Sequence, residues 1–112
     1  MKGGGGFNPM GGMGDILKQA QDMQKKMAKV QEELKERVVE FASGGGMVTA
    51  QANGAQELVS LKIKKDVVDP SDVGMLEDLV VAAVNGALKK AHELHQKELG
   101  KVTGGLNIPG LF

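Results

Sequence analysis

Between Met13 and Leu34 the apolar residues Met13, Ile16, Ala20, Met23, Met27, Val30 and Leu34 recur at spacings of 3, 4, 3, 4, 3 and 4. A helix places such a series in one narrow stripe. That stripe is the a/d seam of a coiled coil, narrower than the face of a helix lying flat on a core. Gln, Lys and Glu fill the intervening positions, and all three favour helix. The spacing predicts a helix from Asp15 to about Glu36, with Asp15 as its N-cap or a first-turn acid. Its last turn carries Glu32, Glu33 and Glu36. The helix dipole opposes acids there, so packing has to hold that end.

The pattern then changes from helical to alternating. Arg37–Ser43 is rich in β-branched residues and is broken by Ser43-Gly44-Gly45-Gly46. Met47–Asn53 alternates Val48, Ala50 and Ala52 with Thr49 and Gln51. Asn53-Gly54 predicts a type I′ hairpin turn, with positive φ at both central residues. Val59, Leu61 and Ile63 alternate with Ser60, Lys62 and Lys64, which predicts a strand with one face buried and the other wet. Asp69-Pro70-Ser71-Asp72 predicts a helix start, with Asp69 as cap and Pro70 in the first position. Gly74 is placed to interrupt that start. The main helix is expected over Met75–Leu99, on the stripe Leu76, Leu79, Val80, Ala83, Val84, Ala87, Leu88, Ala91 and Leu94, with Gly100 as its stop. The fold class that follows is α+β: a long helix, a three-stranded antiparallel meander and a second long helix.

The two helices would span roughly 33 and 38 Å. A compact domain of this length has a radius of gyration near ~13 Å, so both should overhang the sheet. An a/d seam on an overhanging helix needs a partner, and a second copy of the chain supplies one. The residues Ile16, Ala20, Met23, Met27, Val30, Leu34, Leu76, Val80, Ala83 and Ala87 are therefore expected in a dimer or core seam. Glycine sets the outer limits of this unit, because of the 17 glycines in 112 residues seven fall in residues 1–14 and four in 100–112. Three segments are expected: a flexible Gly-rich tail over 1–14, one α-β-β-β-α unit over 15–99, and a Gly- and Pro-containing apolar tail over 100–112. The last of these, with Leu106, Ile108, Leu111 and Phe112, is too apolar for a solvated linker and is expected to dock on its own dimer or on a protein partner.

Most chemistries find no foothold. With no cysteine there is no disulfide scaffold, thiolate metal site or thiol nucleophile. No apolar run approaches the roughly 18 residues of a membrane span, and the N-terminus lacks the apolar core of a signal peptide, so a cytoplasmic protein is expected. His92 and His95 stand at i and i+3, but no third ligand follows at metal spacing. Asp66, Asp69, Asp72, Glu77 and Asp78 are where a helix start prefers acids. Ser43, Ser60, Ser71, Thr49 and Thr103 have no base beside them. Neither Gly3–Gly6 nor Ser43–Gly46 lies in a strand-to-helix phosphate loop. No catalytic residue, cofactor, metal or small-molecule substrate is expected.

Lysine is the remaining signal. Formal net charge is zero, yet residues 66–88 hold five acids and no base, while residues 15–31 hold four lysines against two acids. Lys18, Lys25 and Lys29 project opposite the seam, with Lys26 beside them, and the second helix carries Lys89, Lys90 and Lys97. Two readings compete. Asp22–Lys26, Lys29–Glu33 and Glu93–Lys97 are i,i+4 pairs that would lace a solvated surface; alternatively the lysines meet phosphates. Arg37 is the one arginine, so bidentate readout of guanine is not expected.

Three stretches taken together resemble a known family. They are Leu17-Lys18-Gln19-Ala20-Gln21-Asp22-Met23-Gln24-Lys25-Lys26-Met27 through Gln31-Glu32-Glu33-Leu34, Asn53-Gly54-Ala55, and Met75-Leu76-Glu77-Asp78-Leu79-Val80-Val81-Ala82-Ala83-Val84-Asn85. With the Gly-rich N-terminus and the Gly104–Phe112 tail, the chain resembles the YbaB/EbfC family of bacterial nucleoid-associated proteins over nearly its whole length. The resemblance implies a homodimer shaped like tweezers, whose helical arms hold duplex DNA. It also implies a place in the cytoplasm and nucleoid, with a part in nucleoid organisation and gene regulation. It transfers no basic motif residue by residue, so Lys18, Lys25, Lys26, Lys29, Lys89, Lys90 and Lys97 stand as DNA contacts on placement alone. Gly86 departs from the helix-favouring or polar residues usual there and is expected to soften the second helix. The alternative to DNA binding is a non-enzymatic scaffold dimer that recruits a protein through its helices and residues 104–112.

Overall fold

The computed structural model describes residues 9–102, with side chains from Met13 onward. The expected tail before residue 9 and the apolar segment 103–112 lie outside the described residues. The order is α1 (Pro9–Lys35), β1 (Val38–Ser43), β2 (Val48–Asn53), β3 (Leu58–Ile63), a 3-10 turn (Lys65–Val67) and α2 (Val73–Val102). The fold is α+β, as expected from the two hydrophobic periods.

Both helices run beyond their expected ends. α1 begins at Pro9, six residues before Asp15. Proline suits the first helical position, and the seam spacing already reached back past Asp15 to Met13. α2 begins at Val73 and passes through both Gly74 and Gly100. A helical glycine costs only about 1 kcal/mol, which neighbouring turns absorb. The cap is Asp72, not Asp69. Asp72 Oδ1 accepts the Met75 N–H at 3.2 Å, while Asp69 Oδ1 closes a local turn on the Ser71 N–H (2.9 Å) and hydroxyl (2.7 Å). Asp72→Ala is expected to cost about 1 kcal/mol and lower the melting temperature by about 4–8 °C. A thermal melt followed by circular dichroism checks it.

The sheet is antiparallel in the order β1-β2-β3. Phe41 pairs with Ala50 and Ala52 with Val39 across one ladder, and Val48 pairs with Ile63 across the other. On the central strand Val48, Ala50 and Ala52 are fully buried, as are Ala83, Ala87 and Ala91 of α2. Small side chains on both surfaces let helix and sheet approach closely, and they form the core. At the far corner the Ser43 hydroxyl donates to the Leu79 carbonyl at 2.6 Å. Gly44, Gly45 and Gly46 all take positive φ in the β1–β2 turn.

Two strand expectations fail. β3 has no buried face: Leu58, Val59, Leu61 and Ile63 are 39–50 % exposed, because α2 lies over β1 and β2 and leaves β3 largely uncovered. The alternation itself breaks at Val59. Gln51 pairs with Ser60 and Ala52 with Leu58, so Val59 is the extra residue of a bulge. The β2–β3 turn is likewise not type I′, since Gln56, not Asn53 or Gly54, takes the left-handed conformation at φ 66°. Asn53 organises a three-residue loop instead. Its carbonyl accepts the Gln56 N–H at 2.9 Å, and its Oδ1 accepts the N–H groups of Ala55 (3.0 Å) and Glu57 (3.1 Å). Gly54 is needed for closeness. Its N–H donates to the carbonyls of Leu34 (2.8 Å) and Arg37 (2.9 Å), and a Cβ here would stand 2.6 Å from Leu34 Cδ2 and 2.9 Å from Leu34 O.

Gly54 thereby pins the C-terminal end of α1 to the sheet, and the rest of α1 projects away from it. Leu34 is 1 % exposed, Val30, Met27 and Met23 are half-buried, and Ile16 and Met13 are 67 % and 62 % exposed. The radius of gyration is 22.7 Å and the extents are 86 × 25 × 18 Å, so the chain is a sheet with a long arm rather than a compact domain. α2 overhangs the sheet too, but only by its last turns.

Candidate nucleic-acid interface

The arm's polar face follows from helix geometry. Residues 18, 25 and 29 fall within about 40° of one another around α1 and roughly opposite the seam. Lys18, Lys25, Lys26 and Lys29 are all exposed. The i,i+4 lacing expected of them does not close. Among the described residues the ion pairs are Lys35–Glu32 at 3.8 Å, Arg37–Glu98 at 3.4 Å and Lys101–Glu98 at 3.1 Å. The four arm lysines therefore keep their hydration and their charge free for a ligand.

The lysines of α2 divide. Lys89 and Lys97 are exposed, and Lys97 lies between His95, which bonds the β2–β3 turn, and Glu98, which pairs with Arg37. Lys90 is committed to the fold: its Nζ donates to the Glu40 carbonyl at 2.9 Å and lies 5.5 Å from the centre of the Phe41 ring. Phe41 in turn rests on Gly86, where a Cβ would come within 2.1 Å of the ring. Gly86 is thus a seat for an aromatic ring, not a softening of α2. That role left one trace in the sequence, a helical glycine four residues before a lysine.

The candidate seam residues separate in the same way. Ala83 and Ala87 belong to the chain's own core, and Leu76 and Val80 flank it half-buried. Leu34 closes the base of the arm, Val30, Met27 and Met23 are partly covered, and Ala20 and Ile16 are open. The acids Asp66, Asp69, Asp72, Glu77 and Asp78 gather around the start of α2. From residue 77 to residue 97 that helix rises about 30 Å. These acids share their end of the molecule with Lys62, Lys64 and Lys65, while the arm lysines project from the other.

A model of the YbaB/EbfC DNA-binding family matches residues 10–106. The chain belongs to this family. It is 58 % identical over 113 residues to a nucleoid-associated protein of Thermoanaerobacter pseudethanolicus, covering 99 % of this chain and 98 % of that one. It is 53 % identical over 111 residues to one of Clostridium novyi, covering 96 % and 97 %. Among solved structures it is similar to an uncharacterized protein from Helicobacter pylori, with a TM-score of 0.60 and 28 % identity over 70 % of this chain and 90 % of that one.

In this family member the histidines serve the fold. His95 Nδ1–H donates to the Gly54 carbonyl at 3.1 Å, and His92 Nδ1 meets Gln56 Oε1 at 2.9 Å. Together they stitch α2 to the β2–β3 turn. A small open cavity beside them is lined by Gln31, Leu34, Lys35, Ala55 and His95. Below it, Lys101 and then Arg37 hold the Glu98 carboxyl below the usual glutamate range. The depressed value means the folded state favours the carboxylate, so its contribution is present above the ordinary glutamate range and is lost as pH falls through the folded value. Glu98→Gln is expected to remove part of the stability lost between neutral pH and about pH 3.5. Melting temperatures of parent and variant at the two pH values check it.

Proposed function

We propose that this protein is a homodimer that binds duplex DNA through phosphate contacts from Lys18, Lys25 and Lys29, aided by Lys26, Lys89 and Lys97. The observation that carries this is the unpaired lysine ridge on a projecting helix, in a chain that belongs to a DNA-binding family. Lysine suffices because a phosphate asks for a point charge, whereas base readout favours planar bidentate groups. Binding is therefore indifferent to sequence, and two arms gripping one duplex change its path. That places the protein on the nucleoid, in the cytoplasm, where it organises DNA and influences transcription without catalysing a reaction.

Dimerisation has its own support. Gly86 and Lys90 fix the flank of α2 that faces Phe41 on β1, and helix geometry puts Val81, Val84 and Leu88 on the other flank, toward β3. Leu58, Leu61, Ile63 and Val68 are exposed apolar residues too, and Val81 is 56 % exposed. A patch of this kind marks an interface. Light scattering and fluorescence anisotropy test the reading. The expected results are a mass twice the 11.8 kDa of one chain and equal affinities for two unrelated duplexes of one length. A single-chain mass, or binding to only one duplex, contradicts it.

A further inference from the structure

The seam of α1 is divided along its length. His95 of α2 shares a small cavity with Gln31, Leu34 and Lys35, so the end of α2 runs antiparallel beside the base of the arm. Counting about 1.5 Å per residue along both helices brings Val102, where α2 ends, level with Met27. Up to that level the seam is covered or half-covered. Beyond it Met23 is half-buried, Ala20 is open, and Met13, Ile16 and Leu17 are 62 %, 67 % and 60 % exposed. Helix geometry sets Leu17 at the edge of this open half and turns Asp15, Lys18 and Asp22 away from it.

We propose that the open half-seam packs against the same half-seam of a second copy, antiparallel, and that the pair ties together two DNA duplexes. The heptad spacing supports one register. With the helices crossing at Lys18, Met13 of each copy meets Met23 of the other and Ile16 meets Ala20, a large side chain against a small one. Leu17 then meets Leu17 on one side and Gln19 meets Gln19 on the other, so no charge is buried and no like charges face each other. The start of each helix, Pro9, comes level with Met27 of the other, where α2 stops. A shift of one heptad toward the base drives the arm into α2, and the opposite shift leaves Ala20 and Met23 uncovered. Parallel arms are held apart, because α2 of both chains occupies the base of the seam. Five apolar side chains a copy fall short of the roughly 20–30 residues a side of a stable interface. Pairing therefore needs copies concentrated on DNA, and the two-chain mass persists in dilute solution. Each lysine ridge lies opposite its own seam, so the ridges of paired arms face in opposite directions, toward separate duplexes. The bridging rests on the DNA-binding reading above; the pairing does not.

The double variant Ile16→Gln/Leu17→Gln tests the bridging. Both positions are exposed, glutamine favours helix and no charge changes, so the fold is kept. Its affinity for a single duplex, read by anisotropy, should stay within about twofold of the parent, while retention of a free labelled duplex by a bead-bound one falls about tenfold or more. Undiminished bridging overturns the proposal. An equal loss of single-duplex affinity also overturns it, since the two residues would then touch DNA themselves. Cross-linking tests the pairing without DNA. The chain has no cysteine, so Met13→Cys and Met23→Cys variants are treated with a short bismaleimide at high protein concentration, separately and mixed. The mixture should give a two-chain mass under denaturing conditions. Each variant alone should give little, because like positions stand about 15 Å apart along the axis in this register. No cross-link in the mixture, or the same yield from either variant alone, overturns the pairing. A parent that binds no duplex overturns the bridging together with the reading it rests on, and the mixed cross-link then still decides the pairing.

Discussion

Gly54→Ala should lower the melting temperature by about 10 °C or more, a larger effect than losing the Asp72 cap. The added Cβ would stand 2.6 Å from Leu34 Cδ2 and 2.9 Å from the Leu34 carbonyl oxygen. The first contact is with a side chain that is 1 % exposed. The second is with backbone that already accepts the Gly54 N–H, so moving it breaks the bond joining α1 to the sheet. Overpacking of this kind costs about 1–3 kcal/mol, and loss of the hydrogen bond adds to it. At about 4–8 °C per kcal/mol the shift exceeds 10 °C. The damage also has a direction. The arm loses its anchor, so protease cleavage between α1 and β1 should accelerate while the α2-covered core of β1 and β2 stays protected. A melting temperature within about 2 °C of the parent would mean that α1 does not close on the turn.

Replacing Lys18, Lys25 and Lys29 together with alanine should abolish retention of duplex DNA at physiological salt while leaving the fold intact. Each lysine is exposed and without an ion pair among the described residues, so no structural contact is lost. Alanine favours helix at least as well as lysine, so helicity and mass should not change. Two chains carry six of these lysines. Six neutralised phosphates account for a log–log salt slope of about −5, and removing them lowers affinity by several orders of magnitude near 0.1 M salt. The loss should be equal for every duplex, because phosphate contacts carry no sequence information. If binding at low salt is undiminished, the ridge is a solvated face and the contact surface lies with Lys89 and Lys97.

Much of this architecture is legible in the sequence because its main signals are periodic. The 3-4 spacing from Met13 to Leu34 specifies α1, and the alternation from Val48 to Ala52 specifies the central strand. What escapes are features decided by distant contacts. Asn53-Gly54 reads as a type I′ turn on local chemistry alone, yet Gly54 is required by the approach of Leu34, 20 positions away in sequence. Gly86 reads as a weak point in α2 until Phe41 is found resting on it. The exposure of Leu61 and Ile63 depends on where α2 crosses the sheet, and no strand pattern encodes that. The lysine ridge was visible as positions on a helix. Its freedom from the expected ion pairs was not, because i,i+4 spacing permits such pairs without enforcing them.

Salt dependence of duplex binding tests the central claim most directly. Fluorescence anisotropy of a labelled duplex, titrated at salt concentrations from about 50 to 200 mM, gives the log–log slope for the parent chain and for the triple lysine variant. The expected result is a slope of about −5 for the parent on two unrelated duplexes, collapsing to a small fraction of that in the variant. A flat salt dependence in the parent, or the same steep slope in both proteins, would contradict the assignment of DNA binding to the helical arm.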